Sequence, residues 1–277
     1  MRCDHLLREI SAALRAAGIE NSDNEARWLL CESCDLSAAD ILCGRPLTEE
    51  QIDTVRRLAA RRAGHEPLQY ILGNAPFGEL DLIVTPDVLI PRPETEVLVE
   101  FVSANLPANG RVLDIGCGSG AISLLLAYKR PDAVVTAVDK SCAALKIAMK
   151  NAETYSLQNR VKFLESDLFS ALDGEEKFDF IAANLPYVTF EEYAELADEV
   201  RVYEPQMALT ADDDGAELML RAVKEAANFL TADGKVIFEM SPHQTKRIAA
   251  ALEAENFKTK IICDQFGKER FVSGCRL

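Results

Sequence analysis

The chain has 277 residues, of which 48% are hydrophobic and 27% are charged, a composition typical of globular proteins. Its formal net charge of −15 argues against a dedicated nucleic-acid binder, because such proteins gain most of their affinity by neutralising phosphates. No apolar run approaches the roughly 20 residues that span a bilayer, and the N-terminus lacks the apolar segment of a signal peptide. The eight cysteines show no disulfide framework, and the one Cys-x-x-Cys pair, Cys31 and Cys34, could be redox-active or metal-binding but has no second pair to complete a zinc site. We therefore expect a cytoplasmic protein with reduced thiols and no metal.

The N-terminal part of the chain has the apolar spacing of helices and no strand pattern. Apolar stripes begin at Leu6, Ala26 and Ile52, and the third stripe follows Thr48-Glu49-Glu50-Gln51, which has the form of a capping box. From Gly64 onward prolines and glycines separate short apolar pieces at 70–72 and 80–84. We therefore predict a small helical domain followed by a linker that contains a β-hairpin.

The remainder of the chain alternates between strand and helix patterns. Such alternation predicts a mostly parallel sheet with helices on both faces, in which ligands bind at the carboxyl ends of the strands. The predicted strands are 111–115, 134–139, 161–165, 178–183, 235–240, 259–263 and 271–275, and the predicted helices are 121–129, 142–155, 217–229 and 245–255.

A glycine-rich turn, Gly116-Cys117-Gly118-Ser119-Gly120, connects the first of these strands to a helix. Glycines allow positive φ and the close approach of a ligand, although this pattern also fits a dinucleotide fold. Asp139 ends the next strand, where a carboxylate can accept hydrogen bonds from both hydroxyls of a ribose. Asp167 follows the third strand and could accept from an adenine amino group, or it could be an ordinary loop or capping residue. The pattern predicts a nucleoside site without identifying the nucleoside.

The segment Asn184-Leu185-Pro186-Tyr187 follows the fourth strand and bears on the chemistry. An amide or aromatic amino nitrogen is a poor nucleophile, so methyl transfer to it requires precise aim at the methyl group. Asn184 can accept a hydrogen bond from that nitrogen through its side-chain oxygen, and Pro186 can hold a neighbouring carbonyl as a second acceptor. Tyr187 offers a flat face to a planar group. The segment predicts methyl transfer to such a nitrogen rather than a simple turn.

These motifs together resemble the release factor glutamine N5-methyltransferase family. The resemblance extends from about residue 65 to 270 through His65–Ile71, Ile90–Glu96, Asp114–Gly120, Asn184–Tyr187, Val200–Pro205 and Lys268–Arg270. It implies an α/β, Rossmann-like class I methyltransferase with a seven-stranded, mostly parallel sheet whose last strand is antiparallel. It also implies a small N-terminal domain of five helices.

The resemblance further implies a domain organisation and a set of site residues. It gives a helical substrate-recognition domain at 1–75, a β-hairpin linker at 76–90 and an S-adenosylmethionine-dependent methyltransferase domain at 91–277. The cofactor S-adenosyl-L-methionine would contact Gly116, Cys117, Gly118, Ser119, Gly120, Asp139, Asp167, Leu168 and Asn184, and the substrate would contact Asn184, Leu185, Pro186, Tyr187 and Arg92. Asn184, Pro186 and Tyr187 are the candidate catalytic residues.

The implied substrate is the glutamine of the Gly-Gly-Gln tripeptide of peptide chain release factors. We expect a monomer that binds neither membranes nor, stably, nucleic acids. One departure is Leu185, because the family usually has proline there and Asn-Leu-Pro-Tyr is similar to ribosomal RNA adenine N6-dimethyltransferases. An adenine N6-methyltransferase acting on RNA or DNA is therefore the alternative, with a nicotinamide-dependent enzyme and a non-catalytic binding protein as weaker ones.

Overall fold

The computed structural model describes residues 1–277 and divides them into two compact units. The first unit consists of Met1–Asn74 and the short segment Ala197–Tyr203, and the second contains the remaining residues. No helix in either unit combines the length and the apolar character that crossing a membrane requires.

Six helices make up the first unit: α1 (Cys3–Ala16), α2 (Ser22–Cys34), α3 (Ala38–Cys43), α4 (Glu49–Ala63), α5 (Leu68–Leu72) and, later in the chain, α10 (Asp198–Arg201). The predicted capping box is present, because the Thr48 hydroxyl accepts from the Gln51 N–H at the start of α4. A single apolar core joins α1 to α5, and its members recur at the helical spacing seen in the sequence. The five N-terminal helices agree with the implied front domain.

The hairpin consists of β1 (Asn74–Phe77) and β2 (Leu80–Ile83). Phe77, Leu80 and Leu82 are buried in the core of the second unit, so the hairpin is part of that unit's packing. The apolar piece at 70–72, predicted as part of the linker, lies in α5 instead. Pro67 precedes this helix and Gly73 ends it with a φ of 84°, which explains why so short a segment is helical.

A seven-stranded sheet forms the centre of the second unit, in the order β5-β4-β3-β6-β7-β9-β8. Its strands are β3 (Arg111–Ile115), β4 (Val134–Asp139), β5 (Val161–Glu165), β6 (Phe178–Ala183), β7 (Leu230–Glu239), β8 (Phe257–Cys263) and β9 (Glu269–Arg276). The first five are parallel, and β9 lies antiparallel between β7 and β8. The predicted fold class is confirmed, including the antiparallel last strand.

Helices cover both faces of this sheet. The helices of this unit are α6 (Thr95–Asn105), α7 (Ala121–Lys129), α8 (Cys142–Thr154), α9 (Phe190–Glu195), α11 (Glu217–Ala226) and α12 (Thr245–Ala254). Alternate residues of the central strands enter different cores. Val112 packs with α6, α7 and α8, whereas its neighbour Leu113 packs with α11 and α12. The strands are consequently apolar on both sides, as expected of a buried parallel sheet.

Two predicted bounds of the second unit differ from the structure by more than two residues. Strand β7 begins at Leu230 rather than at 235, because Leu230 pairs with Phe178 of β6 across an irregularity in the register. The helix predicted at 217–229 is α-helical only to Ala226 and continues as a 3-10 turn over Ala227–Phe229. Neither difference moves a loop at the carboxyl edge that carries the candidate site residues.

Candidate active site

A cavity of about 250 Å³ lies at the carboxyl edge of the sheet. From β3 the chain continues outward to β4 and β5 and then returns to β6 on the other side of β3. The loops after β3 and β6 flank this change of direction, which is where ligands bind in open α/β sheets. The lining includes residues that follow four successive strands, among them Gly116, Gly118, Asp139, Asp167, Leu168, Asn184, Leu185 and Pro186.

The loop after β3 has the shape that its glycines permit. Gly116, Gly118 and Gly120 have φ values of 73°, 55° and 84°, a region that residues with a Cβ rarely adopt. A Cβ at Gly116 would lie 3.1 Å from Cδ2 of Leu185, whereas a Cβ at Gly118 would meet nothing within 4 Å. The backbone is therefore packed against the neighbouring loop at Gly116 and faces open space at Gly118.

Asp139 lies at the end of β4 beside this loop. Its Oδ2 accepts from the Gly118 N–H at 2.8 Å, and its Oδ1 accepts from the Ser141 N–H at 2.8 Å. Burial raises the pKa of Asp139, and the backbone hydrogen bonds oppose that rise. Each carboxylate oxygen has further lone-pair capacity. The carboxylate is thus fixed in orientation and can still accept from a pair of hydroxyls.

Two residues of the glycine-rich turn are buried rather than open to the large cavity. Cys117 lines a smaller cavity of about 50 Å³ together with Ser119, and burial raises the pKa of its thiol well above the usual value, so the thiol is neutral. The Ser119 carbonyl accepts from Nδ2 of Asn151 at 2.9 Å. Asn151 also bonds both backbone groups of Ile83, at 2.7 and 3.0 Å. This asparagine therefore connects β2 to the turn.

Asn184 lies between the two cavities and lines both. Its Nδ2 donates to Oγ1 of Thr95, the first residue of α6, at 3.2 Å. Because the amide nitrogen is used in this way, the side-chain oxygen Oδ1 keeps its capacity to accept. This is the orientation that gripping an N–H group requires.

The backbone of the loop Asn184–Tyr187 is held by distant segments. The Tyr187 N–H donates to the Leu209 carbonyl at 3.1 Å, and the Tyr187 carbonyl accepts from Nε2 of Gln244 at 2.9 Å. Gly215, with a φ of 72°, approaches the same carbonyl so closely that a Cβ would clash with it. Leu185 is 4% exposed and packs in the core. The backbone of the loop is thus held at several points, although Leu185 stands where the resemblance leads us to expect proline.

Tyr187 is mostly buried beside this loop. Burial raises the pKa of its phenol to about 12, the charge of Glu239 adds to the rise, and Arg270 and Arg92 oppose it. The phenol is therefore neutral at physiological pH, but Tyr187 packs against the core and is not among the residues that line either cavity. No ionised base is present at this position, in accordance with a reaction that depends on orientation.

Arg92 and Asp167 are both engaged in ion pairs. The Arg92 guanidinium contacts Oε1 of Glu204, whose Oε2 accepts from the Ile90 N–H at 3.1 Å. Arg92 also lines the smaller cavity with Asn184. One oxygen of Asp167 is 3.0 Å from Nη2 of Arg221 and the other is 3.3 Å from Nζ of Lys140. An adenine amino group would compete with these cations, so the role assigned to Asp167 remains a prediction.

Sequence reasoning missed several residues that line or support the cavity. Asp87, Val88 and Leu89 line it before the proline-rich block, and Met207, Ala208 and Thr210 line it after Pro205. The two segments adjoin the motifs Ile90–Glu96 and Val200–Pro205, and this proximity was the signal that could have identified them. Asn151 and Gln244 had a weaker signal, since each is a polar residue beside the apolar positions of a helix.

Comparison with known proteins assigns both parts of the chain. Residues 5–73 match the family described as the PrmC N-terminal domain, and residues 93–209 match the methyltransferase small domain. The release factor glutamine methyltransferase of Geobacter sulfurreducens is 38% identical over 269 residues, covering 94% of this chain and 92% of that protein. That of Streptococcus pneumoniae is 41% identical, covering 81% of this chain and 80% of that protein. The chain belongs to the release factor glutamine methyltransferase family.

Solved structures support the fold of this family member independently. A methyltransferase from Pyrococcus furiosus aligns with a TM-score of 0.55 at 21% identity, over 72% of this chain and 90% of that chain. A 16S rRNA N2 G1207 methyltransferase from Thermus thermophilus, solved with AdoMet and guanosine, aligns with a TM-score of 0.53 at 22% identity, over 74% of this chain and 50% of that chain. These likenesses confirm the predicted methyltransferase fold.

Proposed function

We propose that this chain transfers the methyl group of S-adenosyl-L-methionine to the N5 amide nitrogen of the glutamine in the Gly-Gly-Gln tripeptide of peptide chain release factors. The orientation of Asn184 carries the proposal, because Thr95 holds its amide nitrogen and leaves its oxygen free to accept. The names of the two bacterial relatives support the substrate class.

The residues around the larger cavity fit the cofactor. The open backbone at Gly118 admits a ligand, the two oxygens of Asp139 can accept from the ribose hydroxyls, and Leu168 offers an apolar surface to the adenine. The turn Gly116–Gly120 would surround the remainder of S-adenosylmethionine, and the buried side chains of Cys117 and Ser119 would support the turn. When bound, S-adenosylmethionine supplies an electrophilic methyl group.

The loop Asn184–Tyr187 performs the positioning. The amide nitrogen of glutamine is a poor nucleophile because its lone pair is delocalised into the carbonyl. Oδ1 of Asn184 accepts from one N–H of the glutamine amide, and a backbone carbonyl next to Pro186 accepts from the other. Together they fix the direction of attack. These acceptors also stabilise the positive charge that develops on the nitrogen. Tyr187 packs on the planar group, and the nitrogen proton is lost to water after transfer.

The partners follow from the same proposal. A folded release factor is the protein substrate, and Arg92 lies near Asn184 where it can contact the bound segment. The net charge of −15 disfavours stable binding to nucleic acids. The absence of a helix that could cross a membrane accords with action in the cytoplasm, where translation ends. We expect the enzyme to act as a monomer.

The test is methyl transfer from labelled S-adenosylmethionine to an unmethylated bacterial release factor, with the label located by peptide mass spectrometry. We expect one methyl group on the Gly-Gly-Gln glutamine. Asn184→Ala should lose this transfer, whereas Asn159→Ala, the same change at an exposed turn residue, should keep it. Label on ribosomal RNA in a parallel reaction, with none on the release factor, would refute the proposal in favour of adenine N6-methylation.

A further inference from the structure

A buried carboxyl lies behind the candidate catalytic loop and has no role in the function proposed above. Glu239 ends β7 and is 1% exposed, and its Oε2 has no hydrogen-bond partner. Burying a carboxylate without full pairing is costly, so such a group needs an explanation. The Thr95 hydroxyl lies beside this carboxyl and lowers its pKa. Thr95 is the same residue that accepts from Nδ2 of Asn184.

Thr95 therefore connects Glu239 to Asn184. It is 3% exposed, so water does not compete freely for its hydroxyl. A hydroxyl has one proton to donate and lone pairs that accept. An ionised carboxylate only accepts, so a hydrogen bond between the two groups requires the Thr95 proton to point to Glu239. The Thr95 lone pair then accepts from the Asn184 amide nitrogen, and the amide oxygen is directed away from Thr95.

Protonation of Glu239 would reverse these constraints. A neutral carboxyl can donate its own proton to Oγ1 of Thr95. The Thr95 proton is then available to the Asn184 oxygen, and the amide can rotate to offer its nitrogen in place of the acceptor. An N–H₂ group at that point cannot accept from the N–H groups of the substrate. The ionised form of Glu239 is thus the form that supports the acceptor.

The surroundings of Glu239 bring its protonation into the physiological range. Burial raises its pKa to about 7, the neighbouring Thr95 hydroxyl and the charges of Arg270 and Arg92 oppose the rise, and Glu94 adds to it. Tyr187 also faces the carboxyl, as a neutral phenol. Arg270 also forms an ion pair with Asp264 at 3.0 Å, so its charge is shared between Asp264 and Glu239.

We propose that Thr95 and Glu239 are positioning residues that hold the Asn184 amide oxygen toward the methyl acceptor, with Glu239 ionised in the active state. This inference rests on the proposed function, because it concerns the orientation of the acceptor in that reaction. It assigns a purpose to a threonine at the start of α6 and to a glutamate at the end of β7, which are brought together only by the fold.

The first experiment compares Thr95→Val with Thr95→Ser in the release factor assay. Valine removes the hydroxyl at nearly constant volume, so kcat should fall about ten-fold or more, in line with the loss of one buried, orienting hydrogen bond. The affinity for S-adenosylmethionine, measured by calorimetry, should stay within about two-fold because Thr95 lies on the acceptor side. Serine restores the hydroxyl and should restore most of kcat.

Thr245→Val is the matched control. Thr245 also begins a helix and is fully buried, and its hydroxyl lies 3.0 Å from the Pro242 carbonyl and 3.2 Å from Oε2 of Glu269. It is not part of the cavity lining. We expect this variant to lose thermal stability as Thr95→Val does, but to keep a kcat close to that of the wild type. An equal loss of kcat in both variants would mean that Thr95 acts through stability alone, and would overturn the inference.

The second experiment measures kcat against pH at saturating cofactor and substrate. The wild type should show an ascending limb with a midpoint near 7, because activity requires ionised Glu239. Glu239→Gln cannot ionise, so its kcat should show no ascending limb with pH, whatever the absolute value of that kcat. A limb that persists in Glu239→Gln, or a Thr95→Val variant as active as the wild type, would overturn the relay. A wild type that methylates no release factor would instead overturn the proposed function itself.

Discussion

The loops after β3 and β6 meet at one edge of the sheet but are held in different ways. The loop Gly116–Gly120 takes its shape from its own glycines and from the adjacent strand, whose Asp139 accepts from the Gly118 N–H. The loop Asn184–Tyr187 is held by Thr95, Leu209, Gly215 and Gln244, which come from distant parts of the chain. The first loop has one more distant support, the bond from Asn151 to the Ser119 carbonyl, whereas the second depends on tertiary contacts throughout. We expect substitutions in the two loops to separate cofactor binding from methyl transfer.

The largest effect should come from Asn184→Ala. It removes the acceptor oxygen that positions the substrate nitrogen, so kcat should fall by about 10²–10³-fold, as for loss of a preorganised group that acts on the transition state. The affinity for S-adenosylmethionine should change only a few-fold. Single-turnover kinetics and calorimetry measure the two quantities, and an unchanged kcat would remove Asn184 from its proposed role.

Gly215→Ala tests the tertiary support of the same loop. A Cβ at this position would clash with the Tyr187 carbonyl, and the φ of 72° adds strain, so we expect a loss of about 2–4 kcal/mol in the free energy of unfolding. Gly18→Ala is the control, since its φ is 83° but a Cβ there meets nothing within 4 Å. Denaturant unfolding should show the smaller loss, about 1 kcal/mol, for Gly18→Ala. Equal losses would show that the loop is not tightly held at Gly215.

Asp139→Ala should weaken cofactor binding and leave methyl transfer largely intact, the reverse of Asn184→Ala. It removes two acceptors for the ribose hydroxyls and the bond to the Gly118 N–H, so cofactor affinity should fall by about 10–100-fold. At saturating cofactor, kcat should recover to within a few-fold of the wild type. Calorimetry with S-adenosylmethionine gives the affinity, and a value equal to that of the wild type would place Asp139 outside the cofactor site.

The same contrast explains which features could be predicted from sequence. Strands β3 to β6 and helix α7 have the predicted bounds, because apolar runs flanked by glycine or charged residues depend on local chemistry. The glycine-rich turn and Asn184 could be recognised for the same reason. The partner of Asn184 could not, since Thr95 lies 89 positions away, and neither could Glu239 beside Thr95, which lies on another strand. Side-chain hydrogen bonds between distant segments leave no periodic signal in the sequence.

The smallest expected effect concerns Asp114. It lies in β3 just before the glycine-rich turn, is fully buried, and has one oxygen that accepts from the Ser123 N–H at 3.1 Å while the other has no partner. Burial raises the pKa of Asp114 to about 7, the hydrogen bonds from Ser123 oppose the rise, and the charge of Asp139 adds to it.

A folded-state pKa above the usual value means that the folded protein binds this proton more tightly than the unfolded chain does. The contribution of Asp114 to stability is therefore full below about pH 4 and is lost as the pH rises through about 7. Asp114→Asn keeps the acceptor for Ser123 and removes the ionisation. Relative to the wild type, this variant should gain at least about 1 kcal/mol in the free energy of unfolding between pH 5 and pH 8. Urea unfolding at both pH values measures the difference, and a wild type that gains stability relative to Asp114→Asn as the pH rises would contradict it. The gain would show that the folded protein is more stable when this buried position cannot ionise.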